Sequence, residues 1–321
     1  MKSRSLAGGA GSDWALAAPE REAAARARKT RRSMIRRAYP PRARRFKSKR
    51  RVFAVGAARP KLAGPTSREA LMRLRQIALA SRRLDAVAAE LNTVFGLEVA
   101  YRDPGIIHYG LRNAVIPAGA AFIEIVEPVR DDASAARFLS KRGGDAGYML
   151  IFQTADAEAE RARVAKLGVR VVDDLDRPDY RASHFHPNDF GGVLTSIDQQ
   201  RTVSDPLDPF GDWWPAGPDW RAARTDEVID LTAAVLVSAD PEAHAARWSL
   251  LLGRPLDQAD PLRLPLDRGE LRFEAGEGTT LQRIELAVAD PAAAIARAGR
   301  AGLDVTDEGV LIGGVRFSPI G

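Results

Sequence analysis

Residues 75–97 read RQIALASRRLDAVAAELNTVFGL, and the fold turns on how this stretch is parsed. Its first part, through residues 77–81, alternates like a half-buried strand. Beyond it, Leu84, Val87, Ala88, Leu91, Val94 and Phe95 fall on one helical face, and Gly96 supplies a left-handed stop before the chain re-enters a strand at Leu97. The same order of strand, helix, glycine and strand recurs three times. Strand 149–153 leads through Asp156 to a helix ending at Gly168. Strand 234–238 leads through Asp240-Pro241 to Gly253, and strand 284–288 through Asp290-Pro291 to Gly302. Aspartate before a first-turn proline is a helix-start signal, and the glycine closes each helix.

Ungapped comparison supports an internal duplication. Residues 155–174 and 289–308 agree at eight of twenty positions, and 77–96 agree with 234–253 at six of twenty. Further strand candidates lie at 113–117, 121–126 and 192–198, and at 271–274 and 309–317. Each unit therefore reads β-α-β-β-β, and the fold class is α+β, with tandem modules paired into two domains. The boundaries expected are 72–200 for the first domain, 201–227 for a Pro/Gly/Asp-rich linker and 228–321 for a second, degenerate domain. Trp213, Trp214 and Trp220 of the linker read as packing the two halves together rather than as a lid over a ligand.

Charge separates this body from what precedes it. Residues 1–61 hold 19 Lys/Arg against three acids, whereas the remainder is acidic by ten charges. Segment 1–68 therefore reads as a basic disordered tail or an over-extended reading frame with a later start such as Met34 or Met72. A nucleic-acid arm or a targeting peptide is the lesser reading, because only Tyr39 and Phe46 accompany the arginines. No apolar run is long enough to span a membrane. The absence of cysteine removes thiolate nucleophiles and sulfur-held metals and fits a reducing cytoplasm. Any metal must use the four histidines (His108, His184, His186, His244) or oxygen ligands.

RQIALASRRLDAVAAELNTVFGL, FIEIVEP and HPNDFGGVLTSID together resemble the vicinal-oxygen-chelate superfamily of glyoxalases, methylmalonyl-CoA epimerases, extradiol dioxygenases and bleomycin-resistance proteins. DPGIIHYGLRNAVIPAGAAFIEIVEP is similar to its bacterial glyoxalase-like members. The resemblance implies paired modules curling around a cleft, in which first and last strands supply ligands to a divalent metal (Mg, Mn, Fe or Zn). The positions implied are Gln76 and Glu124 in the first module, but Tyr148 and Ser196 stand where His and Glu are usual, so the cofactor expectation extends to none. His186 is the candidate third ligand. Glu124 and His184 are the expected catalytic pair, and Tyr148, Leu150, Phe152, Ser196 and His108 the expected substrate contacts. His186 also reads as a turn residue before Pro187, and His244 as a surface or interface residue. In the second half Ala233 and Gln282 take the places of Gln76 and Tyr148, so that half reads as scaffold.

Two function classes follow. One is a metal-dependent lyase, isomerase or dioxygenase acting on a 2-oxo compound or thioester. The other is a metal-free protein that sequesters a small molecule. Both imply a small-molecule partner, without membrane or nucleic acid, and leave a homodimer open.

Overall fold

The computed structural model describes residues 71–278 and 280–321; the basic segment expected over 1–68 lies outside the described residues. The first half runs β1 (Met72–Ala80), α1 (Leu84–Phe95), β2 (Leu111–Ala118), β3 (Ala121–Pro128), α2 (Ser134–Arg142), β4 (Ala146–Thr154), α3 (Ala157–Ala165), β5 (Val171–Asp176), β6 (Tyr180–Phe185) and β7 (Leu194–Gln200). The second runs β8 (Val228–Ser238), α4 (Pro241–Leu252), β9 (Arg263–Pro265), β10 (Glu270–Ala275), β11 (Thr280–Val288), α5 (Pro291–Arg300), β12 (Val305–Thr306), β13 (Gly309–Ile312) and β14 (Val315–Ile320). The caps are those expected: Asp156, Asp240 and Asp290 each accept a 2.9 Å hydrogen bond from the amide three residues on. No helix among the described residues is long and apolar enough to cross a membrane.

Each half is one seven-stranded mixed sheet, ordered β2-β3-β1-β4-β7-β6-β5 and β9-β10-β8-β11-β14-β13-β12. Matched strand for strand, the two orders are identical. The central pairs are antiparallel (β1/β4, β8/β11), and the flanking pairs β1/β3, β4/β7, β8/β10 and β11/β14 are parallel. The duplication read from the sequence is thus the architecture: two modules per sheet, joined edge to edge. In the first module the second of the expected strands, the one entered at Leu97, is reduced to a single bridge, Tyr101 to Val115. Helix α2 was not anticipated.

One residue in each central strand has no partner in the ladder. Register shifts between Leu74 and Gln76, and at Ala78/Leu79 opposite Met149/Gly147, leave Arg75 and Tyr148 as bulged residues. A bulge inverts the alternation of side chains beyond it. Leu150 and Phe152, expected to face the cleft by counting in twos from Tyr148, instead enter the helix-side core, and Met149 and Ile151 take the cleft face.

The helix-covered faces of both sheets share one hydrophobic core, in which Ile77, Leu79, Leu84, Phe152, Leu236 and Phe273 are all buried. At the seam Trp248 of α4 lies against Phe152 and Phe190, with ring centroids 6.2 and 5.2 Å away. Arg297 of α5 donates to Val94 O at 2.8 Å. His244 is buried at this seam, its Nε2 2.6 Å from Gly191 O. The opposite face of the first sheet carries a separate cluster that includes Ala78, Phe122 and Ile151.

Candidate functional site

On the concave face of the first sheet, Ala78 pairs with Glu124 and Gln76 with Phe122, so one strand step separates the two expected polar residues. They meet. Gln76 Nε2 donates to Glu124 Oε2 at 2.8 Å, and Asn113 Nδ2 donates to Glu124 Oε1 at 2.7 Å. Gln76 Oε1 in turn accepts from Trp213 Nε1 at 2.7 Å. Glu124 is only 7% exposed, and burial raises its pKa; the two amide donors act in the opposite direction, and the charge of Asp103 adds to the rise.

The second module offers a different acid. Ser196, on the strand paired with Ile151, and Tyr180 both donate to Asp198, which burial lifts to about 7 against the pull of those two hydroxyls. Asp198, Asn113 and Tyr180 were missed in the sequence; Asp198 stands two residues from Ser196 and hence on its face, which is the signal that would have found it. Tyr148 reaches the cleft from its bulge. Its hydroxyl lies 3.2 Å from Ser134 Oγ of α2 and its ring 5.0 Å from Phe138, and burial, helped by the charge of Glu124, raises its pKa.

The histidines separate. His184 is paired with Ser196 across β6/β7 and shares the concave face, with Nδ1 3.8 Å from Asp173 Oδ2; burial lowers its pKa, opposed by Asp173 and Asp174. Tyr109 donates to that same Asp173, tying the 104–109 helical turn of one module to β5 of the other. His108 is exposed on this turn, its ring tilted against Tyr109 with centroids 3.6 Å apart and bonded to Gly105 O. His186 is not brought to Gln76 and Glu124. It sits in the turn after β6, where its Nδ1 accepts from the Asn188 amide at 3.2 Å beside Arg170.

The linker is not where the sequence suggested. Trp213, Ala216 and Trp220 pack onto the concave face beside Ala78, Phe122 and Tyr180, in a cluster separate from the core that joins the halves. The segment 201–223 is thus a strap across the first sheet, with Trp214 stacked on Tyr180 at 5.3 Å.

These donors do not suit a divalent metal. Glu124 is the one anionic group here, its two oxygens and Gln76 Oε1 each already accept an N–H, and His186 stands elsewhere, so Gln76 and Glu124 alone would face a cation. Among the described residues no group of three or more His, Asp or Glu side chains converges. In the second sheet the equivalent positions are Ala233, Arg272, Gln282 and Ser318, and the concave face carries an ion-pair ladder of Arg263, Glu270, Arg272, Glu285, Arg283 and Glu274.

Two modules paired edge to edge in each seven-stranded sheet fit the vicinal-oxygen-chelate superfamily. The glyoxalase-like domain family model matches residues 77–252, more than half of the chain, and the chain belongs to that family. Among solved structures, a variant methylmalonyl-CoA epimerase of Streptomyces coelicolor in complex with 2-nitronate-propionyl-CoA is 29% identical, over 40% of this chain and 98% of that one, with a TM-score of 0.37. The epimerase of Mycobacterium tuberculosis is 26% identical over 40% and 87%, with a TM-score of 0.36. A hypothetical protein of Bacillus halodurans is 19% identical over 42% and 98%, with a TM-score of 0.38. No curated protein matches.

Proposed function

We propose that the first-half cleft is an enzyme site for proton transfer at a carbon next to a carbonyl, as in lyase and isomerase chemistry, and that Glu124 is the base. The observation that carries this is Glu124 itself, a carboxylate buried among neutral amides with a raised pKa and no ion-pair partner among the described residues. Such a group is a stronger base than a surface glutamate and is shielded from water. The C–H proton passes to Glu124, the C–H electron pair moves into the carbonyl, and the Tyr148 hydroxyl donates to the enolate oxygen. Protonated Glu124 then returns its proton, or a solvent proton exchanged for it, to the carbon as the enolate electron pair re-forms the C–H bond, and His184, whose pKa burial lowers, flanks the opposite module beside Asp173. The step as written needs no Mg, Mn, Fe or Zn ion, because the residues at the expected ligand positions are engaged as hydrogen-bonding groups.

The test is deuterium incorporation, followed by NMR, into 2-oxo acids and thioesters incubated with the full chain in D2O. Glu124→Gln is expected to lower exchange by about 10²-fold or more. The acid limb of the rate profile should lie above the ~4.3 of an ordinary glutamate. A chelator should leave the rate unchanged, and stoichiometric metal that survives Glu124→Gln would refute the metal-free step. The aromatic lining of Tyr148, Tyr180 and Trp214 favours a second reading, a protein that sequesters an oxygenated small molecule. Tight ligand binding without exchange, indifferent to Glu124→Gln, would establish it.

A further inference from the structure

Four buried polar atoms around one end of the strap have no hydrogen-bond partner: Nε of Arg73, Nε of Arg75, Oε1 of Gln153 and Nε1 of Trp220. They belong together. Arg73 and Gln153 are cross-strand partners, and the Arg75 guanidinium stacks near Phe122, Trp213 and Trp220 at 4.9, 5.4 and 5.9 Å. The Arg75 bulge is what turns both arginines and Gln76 toward the strap.

The two guanidiniums are 1% and 0% exposed, and their hydrogen-bond partners are main-chain carbonyls alone. Both donate to Ala120 O; Arg73 also donates to Asp208 O at 3.2 Å and Arg75 to Gly211 O at 3.0 Å. Neither forms an ion pair among the described residues. Asp205, Asp208 and Asp230 act on them from a distance, and Asp230 is already held by Arg268 at 2.8 Å. Burial lowers both pKa values, that of Arg73 to about 10, and their mutual repulsion adds for Arg75. Burying two like charges without a counter-ion is expensive, and holding three main-chain carbonyls needs only neutral donors. Paired arginine forks match the geometry of a carboxylate or phosphate.

We propose that Arg73 and Arg75 form an anion subsite for a carboxylate or phosphate group of the cleft's ligand, and that the strap carbonyls of Asp208 and Gly211 hold its place in the ligand-free chain. The proposal deepens the reading of the first-half cleft as the ligand site; it does not depend on Glu124 acting as a base.

The experiment is calorimetric titration of the full chain with pyruvate, inorganic phosphate and the neutral ester methyl pyruvate. Saturable binding of pyruvate or phosphate is expected, with the ester at least tenfold weaker; the two anions separate a carboxylate site from a phosphate site. Arg75→Gln and Arg73→Gln should each weaken the preferred anion tenfold or more, whereas Arg263→Gln on the second sheet should change it less than threefold. Trp213→Phe, which releases the strap's bond to Gln76, should tighten it severalfold. Absence of saturable anion binding in both the wild-type chain and Trp213→Phe overturns the proposal, as does affinity unchanged in the arginine variants. Should those variants fail to fold, Trp213→Phe decides alone: no gain in anion affinity overturns it. Proton exchange that persists while anion binding is absent sinks this proposal only; anion binding that persists without exchange sinks only the catalytic reading.

Discussion

Asp198, two residues beyond the counterpart of Glu124, is the second buried acid of the first sheet, and the two are set by different neighbours, hydroxyls for Asp198 and amides for Glu124. Asp198 has a consequence for stability. Its pKa is about 7 in the folded chain and ~3.9 in an unfolded one. Between those values the folded chain keeps a proton that the unfolded chain has released, so stability falls as pH rises from ~4 to ~7 and is flat outside that window. Asp198→Asn should remove that slope, and melting temperatures at pH 5 and pH 8 should show the variant gaining on the wild type at the higher pH. Trp213→Phe keeps the ring but deletes the bond to Gln76, and urea unfolding should register a loss of about 1 kcal/mol. Glu124 and Gln76 were legible because the resemblance fixes their positions. Asn113 and Arg75 were not, since an amide and an arginine within strands look like solvent-facing residues until a partner strand is laid beside them.

Among the elements, helix α4 gives the HPNDFGG stretch its structural role: the stretch that carries part of the family resemblance forms the turn that receives α4 of the other half. A Cβ on Gly191 would stand 2.1 Å from Trp248 Nε1, and its φ of +64° disfavours any side chain. Gly191→Ala should therefore lower stability by several kcal/mol, and Trp248→Ala by about 3–5 kcal/mol, both measurable by chemical denaturation. The strands and capped helices themselves could be read from alternation, helical spacing and Asp-Pro starts. The bulges could not, because a register shift exists only between two strands. That is why Leu150 and Phe152 lie on the face opposite to Tyr148, although counting in twos puts all three on one face. The strap's tryptophans failed for a related reason: composition says that they will be buried, not against which face.

At the scale of the molecule, the common core makes the halves one stability unit rather than two. Thermal unfolding followed by tryptophan fluorescence and by circular dichroism should give coincident single transitions, and a second transition would show that the seam is weak. Residues 1–66 carry a charge excess unlike that of the body, and a chain starting at Ser67 is expected to keep the melting temperature of the whole, with circular dichroism as the check. The strap runs from the end of β7 in one half to the start of β8 in the other, so it is tethered at both ends. A tethered occupant does not dilute. Its effective concentration over the first sheet is on the order of millimolar, whatever the amount of protein in solution, and a free ligand must outcompete it. Measured dissociation constants will then understate the intrinsic affinity of the cleft by a constant factor. A single proteolytic nick near the exposed Phe210, by converting the occupant into a chain end, should recover part of that factor in the same titration.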